Sequence, residues 1–358
     1  MIPGGVGGTE IYLRTLLAAL AEIDPLDEYF IFANRETGRE LAPPAPNFHY
    51  EPQPVPGVSR PARTIWEQCA LPVVAARRGL DVLLNAGLTA PLLCPCASVT
   101  VMHDLQHLRL PQNFRWYLRP FWRMFLFQSA VSSDALIAVS EATRDDLLRY
   151  YPVPASRIHV IGHGVDEKFF ELGHRRRERP PQPMVLCVST LHPHKNLERL
   201  VRAFAAFRRT RPEYRLVLAG MRGHHAEAIE KAIAQAGQTE TVRVTGWIER
   251  ERLYELFLDA AVFVYPSTFE GFGMPILEAM AAGVPTACSN IEPMRGIAGP
   301  AALMFPPEDE AAITEALLRL TSEEELRDRL SRDGPERASR FSWRRAAEAT
   351  LEVLRSVA

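Results

Sequence analysis

Cysteine is scarce in this sequence of 358 residues, and its few cysteines follow no regular pairing. There are five of them, an odd number, and only two stand close together. They are Cys69, Cys94, Cys96, Cys187 and Cys288. Neither a disulfide framework nor a zinc site fits this spacing. The scarcity therefore favours a reducing, cytoplasmic compartment.

The sequence also lacks an excess of one charge and an unbroken membrane-spanning run. Lys and Arg number 41, Asp and Glu number 43, and the net charge is −2, whereas a general nucleic-acid binder needs a surplus of basic residues. Residues 82–102 are uncharged and long enough to cross a bilayer, but Asn85, Gly87, Pro91 and Pro95 interrupt them. We predict a strand, a loop and a second strand there. The first residues do not form a secretory signal pattern.

Strand-like and helix-like patterns alternate along the chain. Strands are predicted over residues 29–33, 82–85, 98–102 and 215–219, a helix is predicted over residues 62–78, and residues 43–56 are predicted to be a proline-rich connection. A length of 358 residues exceeds one ordinary core and predicts two domains, and the alternation predicts an α/β fold with parallel sheets. We assign residues 1–170 to an N-terminal domain and residues 184–340 to a C-terminal domain. The basic, proline-rich segment 171–183 is predicted to be an exposed linker. Residues 341–358 are predicted to form a final helix.

The most informative stretch is residues 263–290, FVYPSTFEGFGMPILEAMAAGVPTACSN. A short strand ends at Pro266, which has no N–H to donate to a sheet, and Pro275 stands at the favoured first position of a helix. Between them, Gly271 and Gly273 let the backbone approach a ligand closely. The unpaired amides at the helix start and the positive end of the helix dipole predict a site for a phosphate or a similar anion.

Two carboxylates flank this predicted anion site. Glu270 lies in the loop and Glu278 lies within the first turn and a half of the helix, so that both can reach one ligand from different sides. Metal binding is the weaker interpretation, because no third ligand stands at a useful spacing. The structural alternative is a solvated loop acid and an acid that stabilises the helix dipole.

Glu270, seven intervening residues and Glu278, within EGFGMPILEAMAAGVP, resemble the signature of the family-4 retaining glycosyltransferases of the GT-B fold. The resemblance spans nearly the whole chain. It implies two Rossmann-like, doubly wound domains that face a cleft, with the acceptor bound by the first and a nucleotide-sugar donor bound mostly by the second. It also implies that the final helix crosses back to the first domain, that Glu270 faces the donor sugar and that Glu278 binds the ribose hydroxyls. The amides that would hold the sugar and the distal phosphate are those of Gly271, Phe272, Gly273 and Met274.

A lysine stands where a strand of the second domain leads into a helix. Lys195, within the sequence TLHPHKN, can neutralise a diphosphate as a point charge, and the resemblance implies that role. The family often has an arginine at position 190 or 194, where this chain has Thr190 and His194. Either His194 is a partly charged substitute that binds the donor, which would make phosphate affinity depend on pH below about 7, or another cation contributes. The HPHKN variant is most similar to that of mannosyl-transferring members.

The chain opens with a glycine-rich segment, Gly-Gly-Val-Gly-Gly at residues 4–8. It fails the dinucleotide-binding fingerprint because Glu10 stands where the third glycine is required, which weakens an oxidoreductase interpretation. A phosphate-binding loop normally follows a buried strand, and almost no residues precede this one, so we expect that the chain as given begins late and that its first strand is missing. The resemblance implies that Gly5, Gly7 and Gly8 help to bind the donor.

A histidine in the first domain follows the predicted strand 98–102. His103 stands at the carboxyl end of this strand, where open α/β sheets bind ligands, and Asp104 adjoins it. A lone histidine in this position has either a structural role in the fold or a functional role in ligand binding. The resemblance implies that His103 contacts the transferred sugar near its reacting centre and that Asp104 orients the loop, whereas His107 remains unassigned.

A helix predicted over residues 113–131 carries Arg115, Arg119 and Arg123 at four-residue steps among apolar and aromatic residues. One interpretation is the solvated edge of a core helix. The other is a patch that contacts a membrane or an acceptor phosphate.

The resemblance implies a retaining hexosyltransferase that requires neither a metal nor a cofactor, with His103, Glu270 and Lys195 as its catalytic residues. Lys195 and the loop amides would stabilise the charge on the leaving diphosphate, and Glu270 and His103 would position the sugar. The predicted acceptor is a glycan or a lipid-linked glycan, reached in the cytoplasm or at the inner face of the cytoplasmic membrane. The alternatives are a nucleotide-sugar epimerase on the same fold and an inactive sugar-nucleotide-binding protein. A hydrolase with paired carboxylates is disfavoured, because both glutamates are assigned other roles.

Overall fold

The computed structural model describes residues 8–358, and the chain divides into two compact units. Unit 1 comprises the residues up to Gly164 together with Ser342–Ala358, and unit 2 comprises Val165–Phe341. The last helix of the chain therefore belongs to the same unit as its first helix. The division falls after Gly164, whereas the sequence placed the end of the first domain at residue 170.

The strands and helices alternate along the described chain as an α/β fold requires. The strands are β1 (Tyr29–Ala33), β2 (Phe48–Pro52), β3 (Val82–Asn85), β4 (Ala97–Met102), β5 (Ala135–Ala138), β6 (Ile158–Val160), β7 (Gln182–Val188), β8 (Arg215–Ala219), β9 (Val242–Gly246), β10 (Ala260–Tyr265), β11 (Thr286–Ser289) and β12 (Leu303–Phe305). The helices are α1 (Gly8–Ile23), α2 (Arg60–Ile65), α3 (Leu71–Arg78), α4 (Gln106–Arg109), α5 (Arg119–Ser132), α6 (Glu141–Tyr150), α7 (Glu167–Glu178), α8 (Leu197–Phe207), α9 (Ala226–Gln235), α10 (Arg250–Asp259), α11 (Met274–Ala281), α12 (Met294–Ala298), α13 (Glu310–Ser322), α14 (Glu324–Ala338) and α15 (Trp343–Val357). None of the described helices is both long enough and apolar enough to cross a bilayer.

The sheet of unit 2 has the doubly wound order β12-β11-β10-β7-β8-β9, and all its strand pairs are parallel. The chain starts at β7, moves outward to β9 and then returns to the other side of β7 with β10. The order therefore reverses between β7 and β10. In open parallel sheets a ligand binds beyond the carboxyl ends of the strands at such a reversal, so the fold by itself directs attention to the loops after β7 and β10.

The core of unit 2 forms because helices cover both faces of this sheet. Strand residues such as Val185, Leu218 and Val264 are fully or almost fully buried. In α8 the apolar residues recur at helical spacing, and Leu200 and Phe204 pack into the same core cluster.

Unit 1 contains two parallel sheets in its described part, a pair formed by β1 and β2 and a four-stranded sheet in the order β3-β4-β5-β6. Helix α15 packs against α1. Its Arg355 donates hydrogen bonds to Asp24 at 3.1 Å and to Asp27 at 3.0 Å. Gly164 allows α15 to start close by, because a Cβ atom at this position would lie 2.1 Å from the Trp343 nitrogen.

The predicted linker at residues 171–183 is wrong as a description of local structure, because this segment forms the second half of α7 and the beginning of β7. Asp166 caps α7 by accepting a hydrogen bond from the Lys168 amide, and Phe169 and Leu172 are buried on one face of the helix. Arg176 donates to two backbone carbonyls at the end of α10. The basic residues concealed a short amphipathic helix.

Prolines account for two further differences from the predicted helices. The helix predicted over residues 62–78 is interrupted by a π-helical turn at Trp66–Ala70, because Pro72 at the start of α3 has no N–H for a helical hydrogen bond. The helix predicted from residue 113 begins instead at Arg119, where Pro120 occupies the first turn.

Candidate active site

Lys195 and Glu270 meet in unit 2 at the reversal of strand order. Lys195 lies in the 3-10 turn that follows β7, and Glu270 lies in the loop that follows β10. The Lys195 Nζ atom donates to Glu270 Oε1 at 2.6 Å and to the Tyr265 hydroxyl at 3.0 Å. Because β7 and β10 are adjacent, residues 75 positions apart in sequence form one ion pair.

Backbone and amide hydrogen bonds fix the loop that carries Lys195. Asn196 adopts a left-handed conformation with φ of 58°, which asparagine tolerates better than most residues. Its Nδ2 donates to the carbonyls of Pro266 at 3.0 Å and Pro307 at 2.7 Å. The His194 carbonyl accepts a hydrogen bond from the Thr268 amide at 2.8 Å. The loops after β7 and β10 are therefore held against each other on both sides of Lys195.

The charges of Lys195 and Glu270 stabilise each other. Burial opposes the charged form of Lys195, but the combined attraction and hydrogen bonds of Glu270 and Tyr265 outweigh it and raise the pKa of the lysine above its ordinary value. Burial likewise opposes the charged form of Glu270, and Lys195 lowers the pKa of this carboxyl below its ordinary value. Both side chains are therefore ionised at neutral pH.

His194 does not carry the charge that the sequence suggested for it. Burial, followed by the positive charge of Lys195, lowers the pKa of His194 to about 3. Burial and the neighbouring His224 lower the pKa of His192 to about 4. The hypothesis that His194 is a partly charged substitute for arginine is wrong for the ligand-free protein, because its imidazole is neutral at pH 7.

Glu278 belongs to a second buried network in unit 2. Its Oε1 accepts a hydrogen bond from Arg250 at 3.1 Å, and Arg250 also lies 3.3 Å from Asp166 Oδ2. The Tyr254 hydroxyl donates to the same Asp166 oxygen at 2.5 Å. Burial raises the pKa of Glu278 and outweighs the opposing effect of Arg250.

The start of α11 supplies fewer amides than the sequence suggested. Gly273 precedes the helix with φ of +117°, a conformation that favours glycine, and no side chain caps the helix there. Pro275 has no N–H, and the Ile276 amide donates to the Gly273 carbonyl at 3.0 Å. The predicted row of orphan amides from residue 272 to 276 is therefore wrong at its far end. The Phe272 ring is buried and packs against Phe341.

His103 lies in unit 1, directly after β4. Its Nε2 donates to the Ala86 carbonyl at 2.9 Å, so that the neutral ring carries its proton on Nε2 and an acceptor on Nδ1. The Tyr12 ring meets it edge to face at 5.0 Å between centroids, and His163 lies 6.0 Å away. Burial lowers the pKa of His103 below its ordinary value. Gly8 is the first residue of α1, whereas Gly5 and Gly7 lie outside the described residues.

Several residues around the predicted site were missed from the sequence. They are Tyr265, Asn196, Thr268, Arg250 and Asp166. An asparagine just before a helix was a usable signal for a loop-fixing role, but nothing in the sequence links Arg250 to an acid 84 positions away. Within residues 8–358 no three His, Cys, Asp or Glu side chains are grouped to hold a metal ion.

The whole chain is similar to known glycosyltransferases. Residues 6–169 match the family described as Glycosyltransferase Family 4, and residues 170–337 match the family described as Glycosyl transferases group 1. The MMP alpha-(1->4)-mannosyltransferase of Mycolicibacterium hassiacum is 30% identical over 97% of this chain and 94% of that protein. The O-antigen chain mannosyltransferase B of Escherichia coli is 28% identical over 72% of this chain and 69% of that protein. Other relatives are longer, and the aligned part covers 33% of the E. coli serotype-specific mannosyltransferase WbdA.

The fold is also found in solved structures. The crystal structure of Anabaena Alr3699/HepE in complex with UDP and glucose superposes with a TM-score of 0.77 and 17% identity, over 99% of this chain and 98% of that one. Three observations indicate the same family. They are the doubly wound sheet of unit 2, the match of both halves of the chain to glycosyltransferase families, and the 30% identity to a mannosyltransferase over nearly the full length. The chain therefore belongs to the family-4 glycosyltransferases of the GT-B fold and is similar to the mannosyltransferases among them.

Proposed function

We propose that this glycosyltransferase moves a hexosyl group, specifically mannosyl, from a nucleotide-sugar to a glycan or lipid-linked glycan with retention of the anomeric configuration. No metal or other cofactor takes part in the proposed reaction. The observation that carries the proposal is the buried Lys195–Glu270 pair at the reversal of strand order in unit 2. The names of the relatives, mannosyltransferases from two genera, support mannose as the sugar.

The charge of Lys195 suits it to a leaving diphosphate. As the bond between the sugar and the phosphate breaks, negative charge grows on the departing oxygen. A buried ammonium that stays protonated at neutral pH stabilises this charge in a site of low dielectric constant. The complex of the Anabaena protein with UDP and glucose supports a nucleotide-sugar as the donor.

Glu270 is suited to hold the sugar and unsuited to protonate it. Its pKa is lowered by Lys195, so the carboxylate is an acceptor for sugar hydroxyls. A general acid of a glycoside hydrolase needs a raised pKa. Glu278 has a raised pKa but is already hydrogen-bonded to Arg250. This distribution supports glycosyl transfer over hydrolysis by paired carboxylates.

The same reasoning gives roles to the remaining groups. In the proposed complex Glu278 accepts hydrogen bonds from the ribose hydroxyls and Arg250 holds its carboxylate in place. The Gly273 and Met274 amides at the start of α11 approach the donor phosphate. Neutral His103 offers the Nδ1 acceptor to a hydroxyl of the transferred sugar, since its Nε2 proton is already donated to Ala86.

The test is a panel of nucleotide-sugars screened by thermal shift, followed by turnover with and without a glycan acceptor. We expect a GDP-linked or UDP-linked hexose to raise Tm, transfer that needs the acceptor, and a product with the anomeric configuration of the donor by NMR. Conversion of the donor without an acceptor would instead identify an epimerase. Binding without any turnover, with wild-type behaviour retained in Glu270→Gln, would identify an inactive binding protein.

A further inference from the structure

Unit 1 exposes an unusual concentration of large apolar side chains. We define the apolar surface by six of them: Ile65, Leu92, Leu93, Trp116, Met124 and Phe127. Leu93 and Trp116 are each 77% exposed, and Met124 is 59% exposed. Scattered apolar residues on a protein surface need no explanation, but a grouped set marks a place of contact.

Side-chain contacts join the three segments that carry most of these side chains. The Arg60 guanidinium of α2 lies 4.9 Å from the centre of the Trp122 ring of α5. Gln128 of α5 donates to the Ala90 carbonyl at 3.1 Å, in the loop that carries Leu92 and Leu93. The Leu92 amide in turn donates to Gln68 at 2.9 Å, one turn beyond Ile65. These contacts hold α2, the loop and α5 next to one another, so the apolar surface is formed by neighbouring segments of unit 1.

Helix α5 has two apolar faces. Leu126 and Ala130 are buried in the core of unit 1. Met124, Phe127 and Val131, at spacings of three and four residues, form an exposed stripe on another side. A helix at a protein–water boundary normally carries polar residues on its outer face, so the outer face of α5 is built for an apolar neighbour.

The α5 side of the apolar surface carries charge of one sign. No Asp or Glu occurs between Asp104 and Asp134, and the interval contains four arginines. Of these, Arg109 pairs with Asp146, whereas Arg115 and Arg123 are exposed near the aromatic side chains. This side of the apolar surface is therefore cationic and favours an anionic neighbour, whereas the Glu67 carboxylate near its other side already accepts hydrogen bonds from Thr89 and Gln68.

We propose that the apolar surface and its arginines bind the face of an anionic phospholipid bilayer. Trp116 and the neighbouring Tyr117 would lie at the headgroup level, where aromatic side chains concentrate. Met124 and Phe127 would enter the boundary with the acyl chains, and the arginines would pair with lipid phosphates. A second copy of the chain fits less well, because a two-fold contact would place the same arginines opposite each other. The inference rests on the proposed function only in that a lipid-linked acceptor resides in such a membrane.

Sedimentation with vesicles tests this surface directly. We expect the full chain to bind vesicles of phosphatidylcholine mixed with phosphatidylglycerol and to bind pure phosphatidylcholine weakly. The double substitution Met124→Ser and Phe127→Ser is expected to lower the partition coefficient by about tenfold or more. Arg115→Gln with Arg123→Gln is expected to lower the partition coefficient by about 30-fold at low salt, which corresponds to about fivefold per arginine.

Matched controls stand elsewhere on the molecule. Leu26 is 80% exposed but lies outside the apolar surface, and the side chain of Arg332 is 74% exposed in unit 2. Leu26→Ser and Arg332→Gln are therefore expected to bind vesicles like the unchanged protein. An unchanged Tm in every variant verifies that the fold is retained.

Three results would overturn the inference: equal binding to neutral and anionic vesicles, equal loss in the control variants, or a dimer in solution that Met124→Ser and Phe127→Ser dissociate. Donor binding by thermal shift separates this inference from the proposed function. Intact donor binding without vesicle binding refutes the membrane surface alone. Vesicle binding with no response to any nucleotide-sugar refutes the proposed donor chemistry alone.

Discussion

The Nζ atom of Lys195 lies 2.6 Å from Oε1 of Glu270, although the two residues are 75 positions apart in the sequence. The side chains are only 13% and 11% exposed, so each charge depends on the other for compensation. In the proposed complex, a diphosphate beside Lys195 would meet a lysine that is already ionised, and the neighbouring carboxylate would accept hydrogen bonds from sugar hydroxyls.

Removal of the lysine is expected to destabilise unit 2. Lys195→Met leaves the Glu270 carboxylate buried without its cation and should lower the free energy of unfolding by about 3–5 kcal/mol. Adding Glu270→Gln removes the uncompensated charge and should restore much of the loss. Urea denaturation of the two variants measures the difference. Equal stability of the single and double variants would show that the pair is not coupled in this way.

Substitutions of Glu270 and Glu278 are expected to change different kinetic parameters. Glu270→Ala removes the group proposed to hold the sugar in the transition state and should lower kcat/KM by about a thousandfold or more. Glu278→Gln keeps the shape but weakens ribose binding, so donor KM should rise by roughly tenfold with little change in kcat. Steady-state kinetics with varied donor separates these outcomes, and wild-type activity in both variants would refute both roles.

The neutral state of His194 gives a prediction about pH. Because its pKa is about 3 in the ligand-free protein, the inhibition constant of a nucleoside diphosphate should stay flat from about pH 6.5 to 8, an interval in which an ordinary histidine still loses charge. His194→Arg supplies a permanent charge and should tighten diphosphate binding by about tenfold. His225→Arg, on a histidine that pairs with Glu198, serves as the control. A steep loss of affinity for the unchanged protein over this pH range would contradict the assignment.

His107 predicts acid sensitivity of unit 1. Burial lowers its pKa to about 4, below the ordinary value near 6.5. Its contribution to stability is therefore complete above about pH 6.5 and is lost as the pH falls toward 4, by about 1–2 kcal/mol at pH 5. His107→Gln keeps a partner for the Tyr151 hydroxyl and should flatten the decline of Tm between pH 7 and 5. An identical decline in both proteins would assign the acid sensitivity to other groups.

Asn196 is expected to act on catalysis through the position of Lys195. Asn196→Asp tolerates the left-handed backbone but removes both Nδ2 hydrogen bonds to the loop carbonyls. We expect kcat/KM to fall by about ten- to a hundredfold, since small displacements of a catalytic group are costly. Asn196→Gly keeps the left-handed conformation but lacks the same hydrogen-bond donors. Its kcat/KM should therefore fall by a similar factor. Full activity in Asn196→Gly would show that the amide hydrogen bonds do not position the lysine.

Much of the fold was accessible from the sequence because buried parallel strands are short apolar runs. The predicted strands Tyr29–Ala33, Val82–Asn85 and Arg215–Ala219 coincide with the observed ones. Strand β2 was missed because the prolines around it suggest a connection, although only its last residue, Pro52, is a proline. Helix α7 was missed because three consecutive arginines concealed its buried face.

The candidate site was accessible only in part. The loops that carry Lys195 and Glu270 end neighbouring strands, so their meeting follows from a doubly wound topology. The pairing of Glu278 with Arg250 was inaccessible, because side-chain contacts between distant elements depend on packing that no local pattern records. The charge state of His194 was misjudged for the same reason, since its burial beside Lys195 is a tertiary property.

The two carbonyls that Asn196 binds come from separate loops, one after β10 and one after β12. Three crossovers of unit 2 thus share a single amide group as their meeting point. Replacing one of these loops with that of a relative, as a way to change sugar preference, would therefore displace Lys195. The replacement would keep the lysine in place only if all three loops were exchanged together.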